Sequence, residues 1–163
     1  MILIGIGSNL TSDNYNSKLD ACRGSIELLR RNNIEISSQS SWYETLPIPT
    51  SSQSNFINGV ISVKTHLDSS YLLDLLLTIE AQMGRKRGVK NAARIIDLDL
   101  IAYNCEIVET ETLTLPHPRL SQRAFVVRPI AEIAPDWRHP VLGLKINEVL
   151  TTLSDQKITR LSY

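Results

Sequence analysis

The sequence predicts one α+β domain whose strands and helices follow in the order β-α-β-β-α-β. Three observations lead to this prediction: an apolar opening segment, two stretches with helical spacing of apolar residues, and a strictly alternating segment at 94–103. That order is typical of the ferredoxin-like sandwich, in which helices cover one face of an antiparallel sheet. With 163 residues and 42% hydrophobic residues, the chain can bury a core without metal or disulfide support.

The first half of the chain supplies a strand, a helix and two further strands. The apolar segment 1–7 predicts a buried strand, and apolar residues at steps of four and three predict a helix within 14–31. Strands are expected at 34–43 and 56–65. The prolines and hydroxyl side chains of 44–55 predict a loop between them.

The second half supplies a helix, a strand and an additional helical tail. The second helix is expected to start near Asp68 and to stop at Gly84, because these residue types favour helix starts and ends. The fourth strand follows at 94–103. Extra C-terminal helices are expected at 121–133 and 145–153.

Asp97 and Asp99 are two residues apart on the fourth strand. Their Cα atoms should therefore lie about 6.5 Å apart, with both side chains on one face. The opposite face is apolar and consists of Ile96, Leu98, Leu100 and Ala102. Two such carboxylates suit Mg²⁺, which takes one or two carboxylates and completes its coordination with water and phosphates. The alternative is an acidic, solvent-exposed strand face.

Two cationic segments flank this strand along the chain. Residues 84–94 contain five positive charges and no negative one, as a polyphosphate site requires. The alternative is a solvated helix end. His117 lies between two prolines and close to Arg119 and Arg123, where it could contact a phosphate or have a purely structural role.

Composition and charge exclude several classes of protein. Lys and Arg number 17, as do Asp and Glu, so a general nucleic-acid or anionic-membrane binder is not expected. No apolar run approaches the roughly 18 residues of a membrane-spanning helix. The isolated Cys22 and Cys105 predict a reducing, cytoplasmic location. Gly5-Ile6-Gly7-Ser8 does not match a phosphate-binding loop, and its glycines are expected to allow close packing.

Together these residues resemble the 6-hydroxymethyl-7,8-dihydropterin pyrophosphokinase family of folate biosynthesis. The resemblance follows the family's order and spacing over most of the chain. The matching segments are 4–10, 41–45, 55–58, 79–87, 94–100, 115–119, 123–126 and 133–135.

The resemblance implies transfer of the terminal two phosphates of ATP to the hydroxymethyl oxygen of the pterin, with release of AMP. Two Mg²⁺ ions would be held by Asp97 and Asp99, and the catalytic residues would be these two together with Arg85 and Arg94. Contacts to ATP would come from Glu80, Arg85, Arg87, Arg94, Leu100, Thr114, His117 and Arg123. Contacts to the pterin would come from Thr45, Leu46, Pro47, Ile48, Phe56, Asn58 and Phe125. Among these, Phe56 and Phe125 would sandwich the ring and Asn58 would read its hydrogen-bonding edge.

The chain departs from the family in the loop before Arg94, which lacks the usual tryptophan and Gly-Pro pair. Altered kinetics are expected, with loop 88–93 as their cause. No residue is identified as a general base, and a monomer is expected.

Two other functions share part of this pattern. A nucleotidyltransferase also combines Gly-Ser with an Asp-x-Asp pair, but here about ninety residues separate Ser8 from Asp97, whereas that class places them on neighbouring elements. The other is a non-catalytic ligand-binding domain of the same fold, which would bind pterin without producing AMP.

Overall fold

The computed structural model describes residues 1–47, 53–85 and 93–162. Within these ranges the helices and strands have well-defined bounds. They are β1 (Ile2–Ser8), α1 (Lys18–Arg31), β2 (Glu35–Gln39), β3 (Tyr43–Thr45), β4 (Phe56–Lys64), α2 (Ser69–Gln82), β5 (Asp97–Tyr103), β6 (Val108–Glu109), β7 (Thr114–Leu115), a 3₁₀ turn (Leu120–Gln122), α3 (Ala124–Ile133), α4 (Ile146–Thr151) and β8 (Thr159–Arg160).

The main sheet is antiparallel and has the order β5-β1-β4-β3-β8, with β2 also paired to β4. β1 lies between β5 and β4, and every residue of this strand is buried. The predicted α+β, ferredoxin-like fold is confirmed, since the four predicted strands take the positions 4-1-3-2 across the sheet. A separate two-stranded sheet joins β6 to β7.

The two faces of the sheet carry separate apolar clusters, because side chains alternate along each strand. Ile4 and Ile61 lie in the cluster that contains residues of α1 and α2. Leu3, Val60 and Ile101 lie in the cluster that contains residues of α3 and α4. The C-terminal helices therefore cover the face opposite to α1 and α2, a placement that the sequence did not specify.

The strand predicted at 34–43 is in fact two strands. Ser40 interrupts the pairing with β4: its backbone N–H donates to the Val60 carbonyl at 3.0 Å, and its Oγ accepts from the Val60 N–H at 3.0 Å. The Ser40 side chain thus replaces one backbone hydrogen bond between the strands, and regular pairing with β4 resumes only at β3.

β5 begins at Asp97, three residues later than predicted. The backbone of Arg94 pairs with Asn9 instead: its N–H donates to the Asn9 Oδ1 at 2.8 Å, and its carbonyl accepts from the Asn9 N–H at 3.2 Å. Further along, the register between β1 and β5 shifts between Leu3 and Ile4. Ala102 therefore joins the cluster of Ile101, and its predicted place beside Leu98 and Leu100 is wrong.

α1 and α2 each begin directly after a residue whose side chain caps the helix. Ser17 caps α1 by accepting from the Asp20 N–H at 3.1 Å, and Asp68 caps α2 by accepting from the Tyr71 N–H at 2.9 Å. Beyond α2, Gly84 has φ +92°, a conformation that favours glycine. α3 and α4 are both shorter than predicted. No helix in the described ranges is long and apolar enough to cross a membrane.

Candidate active site

The floor of the candidate site is formed by the two glycines of β1. Gly7 pairs with Asp97 on one side and Asn58 on the other, and Gly5 pairs with Asp99 on β5. A Cβ atom on Gly7 would lie 3.3 Å from the Asn58 Oδ1 and 3.8 Å from the Asp97 Cβ. The glycines therefore keep the space between these side chains open.

Above this floor lies a cavity between the ends of β3, β4 and β5 and the start of α3. It brings together many of the residues that the sequence predicted for the site. Those lining it are Thr45, Leu46, Pro47, Phe56, Asn58, Arg94, Asp97, Asp99, Arg123 and Phe125. Charged groups converge at the Asp97 end, and aromatic and amide groups at the Asn58 end.

Asp97 is held by two arginines. Arg85 Nη1 donates to Asp97 Oδ1 at 2.6 Å, and Arg94 Nη1 donates to Asp97 Oδ2 at 3.0 Å. The three side chains are between 20% and 25% exposed. Each oxygen of the Asp97 carboxylate thus accepts a charged hydrogen bond from a different arginine, and both arginines are partly exposed to solvent.

Glu80 positions Arg85. Its carboxylate is buried and accepts hydrogen bonds from Arg85 Nη1 and, at 2.7 Å, from the Leu98 N–H of β5. Burial is the main reason why the pKa of Glu80 is raised. Glu80 is only 3% exposed and contacts Arg85, and its expected place beside the nucleoside stays a prediction.

Asp99 is less well compensated than Asp97. Asp99 forms an ion pair with Arg123, whose Nη1 lies 3.9 Å from Asp99 Oδ2. Burial, and then the charge of Asp97, raise the pKa of Asp99 above its usual range. The negative charge of Asp97 acts on Asp99, and two carboxylates placed in this way can bind one divalent cation together.

The donor set fits Mg²⁺ in particular. Asp97 and Asp99 offer hard oxygen atoms, and the described residues contain no cluster of three or more His, Cys, Asp or Glu that could hold a metal. A cation at this pair would therefore take its remaining ligands from water or substrate, as Mg²⁺ does when it binds with phosphates.

The opposite end of the cavity is suited to a flat, polar ring. Asn58 is buried, and its Nδ2 donates to the Thr45 Oγ1 at 2.8 Å, which fixes the orientation of the amide. Phe56 and Phe125 both line the same space. The Arg123 guanidinium lies 5.5 Å from the centroid of the Phe125 ring and so connects the two ends of the cavity.

His117 lies near this site but does not line the cavity formed by the described residues. Its backbone N–H donates to the Ile101 carbonyl at 2.8 Å, and its Nδ1 accepts from the Arg119 N–H at 3.1 Å. Burial, followed by the charges of Arg123 and Arg119, lowers the pKa of His117 to about 4. The neutral ring therefore carries its proton on Nε2, which is available as a donor.

The model of the family described as 7,8-dihydro-6-hydroxymethylpterin-pyrophosphokinase (HPPK) matches residues 3–135. The chain belongs to the HPPK family. The resemblance drawn from the sequence motifs is confirmed, and membership makes this chain a pyrophosphokinase domain of folate biosynthesis.

HPPK relatives occur as short and as long chains. The 2-amino-4-hydroxy-6-hydroxymethyldihydropteridine pyrophosphokinase of Methylorubrum extorquens is 35% identical over 96% of this chain and 96% of its own length. That of Synechocystis is 38% identical over 91% of this chain and 73% of its own length. The folic acid synthesis protein fol1 of Pneumocystis carinii is 36% identical over 96% of this chain, which spans 20% of that relative.

A solved structure shows the same fold at low sequence identity. The Plasmodium falciparum HPPK-DHPS has a TM-score of 0.72 and 14% identity, with 93% of this chain and 44% of that chain covered. The fold of the HPPK domain is thus retained where few residues are shared.

Several residues expected to contact ATP in an HPPK site lie away from the cavity lining. Leu100 is 4% exposed and packs in the cluster with α1 and α2, because it faces away from Asp99. Thr114 pairs with Glu109 in the small sheet. Ile48, Arg87 and residues 88–92 lie outside the described residues.

Asn9 and Gln53 contribute to the site but were not identified from the sequence. Asn9 is 2% exposed, and its Nδ2 donates to Gln53 Oε1 at 2.9 Å while its Oδ1 accepts from the Arg94 N–H. Gln53 lines the cavity. Asn9 lies in segment 4–10, which resembles the family, and this resemblance was the only indication in the sequence that Asn9 belongs to the site. Its bonding partners are distant in sequence, so no local pattern indicates them.

Proposed function

We propose that this chain transfers the terminal pyrophosphoryl group of Mg²⁺-bound ATP to the hydroxymethyl oxygen of 6-hydroxymethyl-7,8-dihydropterin and releases AMP. The observation that carries the proposal is the cavity with two unlike ends. A carboxylate pair with arginines lies at one end, and a fixed amide with two phenyl rings lies at the other. HPPK membership supports the same reaction.

Asp97 and Asp99 would hold two Mg²⁺ ions together with the phosphates of ATP. Bound there, the metal would neutralise phosphate charge and orient the reacting groups. The two side chains are supplied by neighbouring positions on one face of β5, opposite the glycines of β1. This arrangement leaves room on the cavity side for phosphate oxygens.

Arg85 and Arg94 are proposed to clamp the phosphates, assisted by Arg123. In the structure both Arg85 and Arg94 pair with Asp97. With Asp97 holding a metal, Arg85 and Arg94 would be available to phosphate oxygens, which a guanidinium group can bind bidentately. Glu80 would keep Arg85 near the site during this exchange.

Contacts from His117, Arg87, Leu100 and Thr114 to the remainder of ATP are part of the proposal. His117 is neutral at physiological pH because its pKa is low, so it would donate from Nε2 and would not act as a cation. Leu100 could contribute only through its backbone, since its side chain is buried on the opposite face.

The pterin would lie between Phe56 and Phe125, with the Asn58 amide against its polar edge. Thr45 fixes that amide, and Leu46, Pro47 and Ile48 would contribute chiefly through backbone groups. Stacking between aromatic rings and hydrogen bonds to a buried amide together recognise a flat heterocycle. The acceptor oxygen would then point toward the Asp97 end.

In this reaction the hydroxymethyl oxygen forms a bond to the β-phosphorus of ATP. The bond between that phosphorus and the oxygen bridging to the α-phosphate breaks, AMP leaves with the bridging oxygen, and the hydroxyl proton passes to solvent. The protein contributes alignment and stabilisation of charge, so no general base is assigned.

The test is to incubate the protein with ATP, Mg²⁺ and 6-hydroxymethyl-7,8-dihydropterin and to identify the products by chromatography and ³¹P NMR. We expect AMP and a pyrophosphorylated pterin in equal amounts. ADP, or inorganic pyrophosphate with a nucleotidylated product, would reject the proposal. Binding of pterin without AMP formation would favour the non-catalytic alternative.

The monomeric state and the cytoplasmic location remain predictions. Sedimentation velocity of the purified chain tests the first of these, with a single species of about 18 kDa expected.

A further inference from the structure

The segment after α4 makes contacts on both sides of the cavity. This segment lies beyond residues 3–135, which the family model matches. One end, at Gln156, bonds to the start of α3. The other end, β8 and Leu161, bonds to the edge of β3. These two elements carry opposite walls of the cavity.

Gln156 caps α3 from a distance. Its Oε1 accepts from the Ala124 N–H at 2.8 Å, and its Nε2 donates to the Gln122 carbonyl at 2.8 Å. Arg123, the N-cap residue, provides no side-chain cap of its own. Because Arg123 and Phe125 flank Ala124, the Gln156 amide holds the turn that aims both side chains at the cavity.

The other end of the segment extends the sheet beside β3. Thr159 and Arg160 pair with Glu44 and Tyr43, and the Leu161 N–H donates to the Trp42 carbonyl at 2.9 Å. Continuing along β3, the chain reaches Thr45, whose Oγ1 fixes the Asn58 amide. The pairing therefore reaches to within two residues of the pterin end of the cavity.

α3 and β3 are also joined through Glu132. This carboxylate accepts from the Ser41 N–H at 3.0 Å, from the Ser41 Oγ at 2.7 Å and from the Tyr43 hydroxyl at 2.9 Å. Arg160 lies beside the same group, with its Nε donating to the Ser41 Oγ at 2.8 Å and its Nη2 3.5 Å from Glu132 Oε1. The C-terminal strand thus reinforces an existing link between the two walls.

We propose that residues 156–161 form a clamp that sets the separation of α3 and β3 and thereby positions Phe125 and Thr45 for the acceptor. This inference rests on the proposed function. In this clamp Gln156 and Leu161 are positioning residues, since neither lines the cavity among the described residues. The two ends have different consequences. Release of Gln156 affects Arg123 as well as Phe125, whereas release of Leu161 affects only the β3 side.

The experiment measures binding at 25 °C with the full chain. The probes are 6-hydroxymethylpterin, followed by its fluorescence, and Mg²⁺ with α,β-methylene ATP, followed by calorimetry. Gln156→Met keeps the length of the side chain but removes its hydrogen-bonding atoms, and we expect about threefold to tenfold weaker binding of both probes. Leu161→Pro removes the N–H that bonds Trp42, and we expect a similar loss for the pterin alone. Gln156→Ala provides a second variant should the first fail to fold.

Two matched controls separate the clamp from a general loss of stability. Gln122→Ala keeps the backbone carbonyl that Gln156 bonds, and Lys157→Ala changes an exposed residue within the segment, so both should bind like the wild type. If the variants at Gln156 and Leu161 lower the melting temperature but leave both affinities within twofold, the clamp is overturned. If the wild type binds no pterin, the proposed function fails instead.

Discussion

Replacing Arg94 should raise the affinity of the protein for metal alone and lower its affinity for the metal–nucleotide complex. Arg94 Nη1 donates to Asp97 Oδ2 at 3.0 Å, so a cation that binds Asp97 must displace this pair. Arg94→Gln removes the competing charge. We therefore expect the variant to bind metal alone more tightly than the wild type, yet to bind the metal–nucleotide complex more weakly, because a phosphate clamp is lost.

The size of the first effect follows from burial. The side chains of Arg94 and Asp97 are 20% and 22% exposed, so the pair is neither fully exposed nor fully buried. A fully exposed ion pair contributes about 0.2–1 kcal/mol, and a buried charged hydrogen bond contributes about 1.5–3 kcal/mol. An intermediate value of about 1 kcal/mol corresponds to about fivefold in metal affinity. Loss of one phosphate contact should weaken nucleotide binding by about tenfold or more.

The assay uses Mn²⁺ as a spectroscopic substitute for Mg²⁺, titrated by electron paramagnetic resonance without nucleotide. Calorimetry with α,β-methylene ATP and Mg²⁺ follows. Arg119→Gln, which removes an exposed arginine near His117, controls for a general change in charge. Unchanged or weaker Mn²⁺ binding in Arg94→Gln, or an equal gain in Arg119→Gln, would refute the reasoning.

Three further predictions concern neighbouring residues. Because burial raises the pKa of Glu80, the charged carboxylate is unfavourable in the folded state. Glu80→Gln should therefore keep the melting temperature within about 4 °C of the wild type, and should lower kcat because Arg85 loses this carboxylate partner. A larger fall in melting temperature would contradict this prediction. Because the pKa of His117 is lowered from 6.5 to about 4 in the folded chain, the unfolded chain binds more protons between these pH values. The free energy of unfolding should therefore fall as the pH drops through this range, and should fall less steeply in His117→Gln. An NMR titration of His117 with a midpoint of about 6 or above would disprove this prediction. Gly7→Ala places a Cβ atom 3.3 Å from Asn58 Oδ1. This variant should raise the KM for the pterin about tenfold with little change in melting temperature. An unchanged KM would show that the pterin does not bind beside Gly7.

The strand that carries the carboxylates shows how far sequence patterns reach. Alternation along 94–103 placed Asp97 and Asp99 on one face, and the structure brings both to the cavity. The same alternation misplaced Ala102, because the register shift depends on how β5 pairs with β1. Pattern along one segment reports which residues face the core, but it contains no information about a bulge set by the partner strand.

Partners distant in sequence account for the other differences. Ser40 interrupts the second strand through its bonds to Val60, and the buried Glu80 carboxylate accepts from Leu98 and Arg85, contacts that the sequence pattern did not indicate. In each case a buried polar group takes the nearest available partner, which only the folded chain defines. The start of α2 was predicted closely, since Asp68 caps the helix through the Tyr71 N–H, three positions away.

The most direct test of the account compares Asp97→Ala with the wild type in two measurements on the same preparation. These are AMP formation from ATP, Mg²⁺ and the dihydropterin, and binding of 6-hydroxymethylpterin by fluorescence. Asp74→Ala, at an exposed position of α2, is the matched control and should behave as wild type. The account predicts that Asp97→Ala loses transfer but still binds pterin, because the metal and pterin ends of the cavity are separate. Survival of more than about a few per cent of the activity would contradict the assignment of Asp97 to the metal.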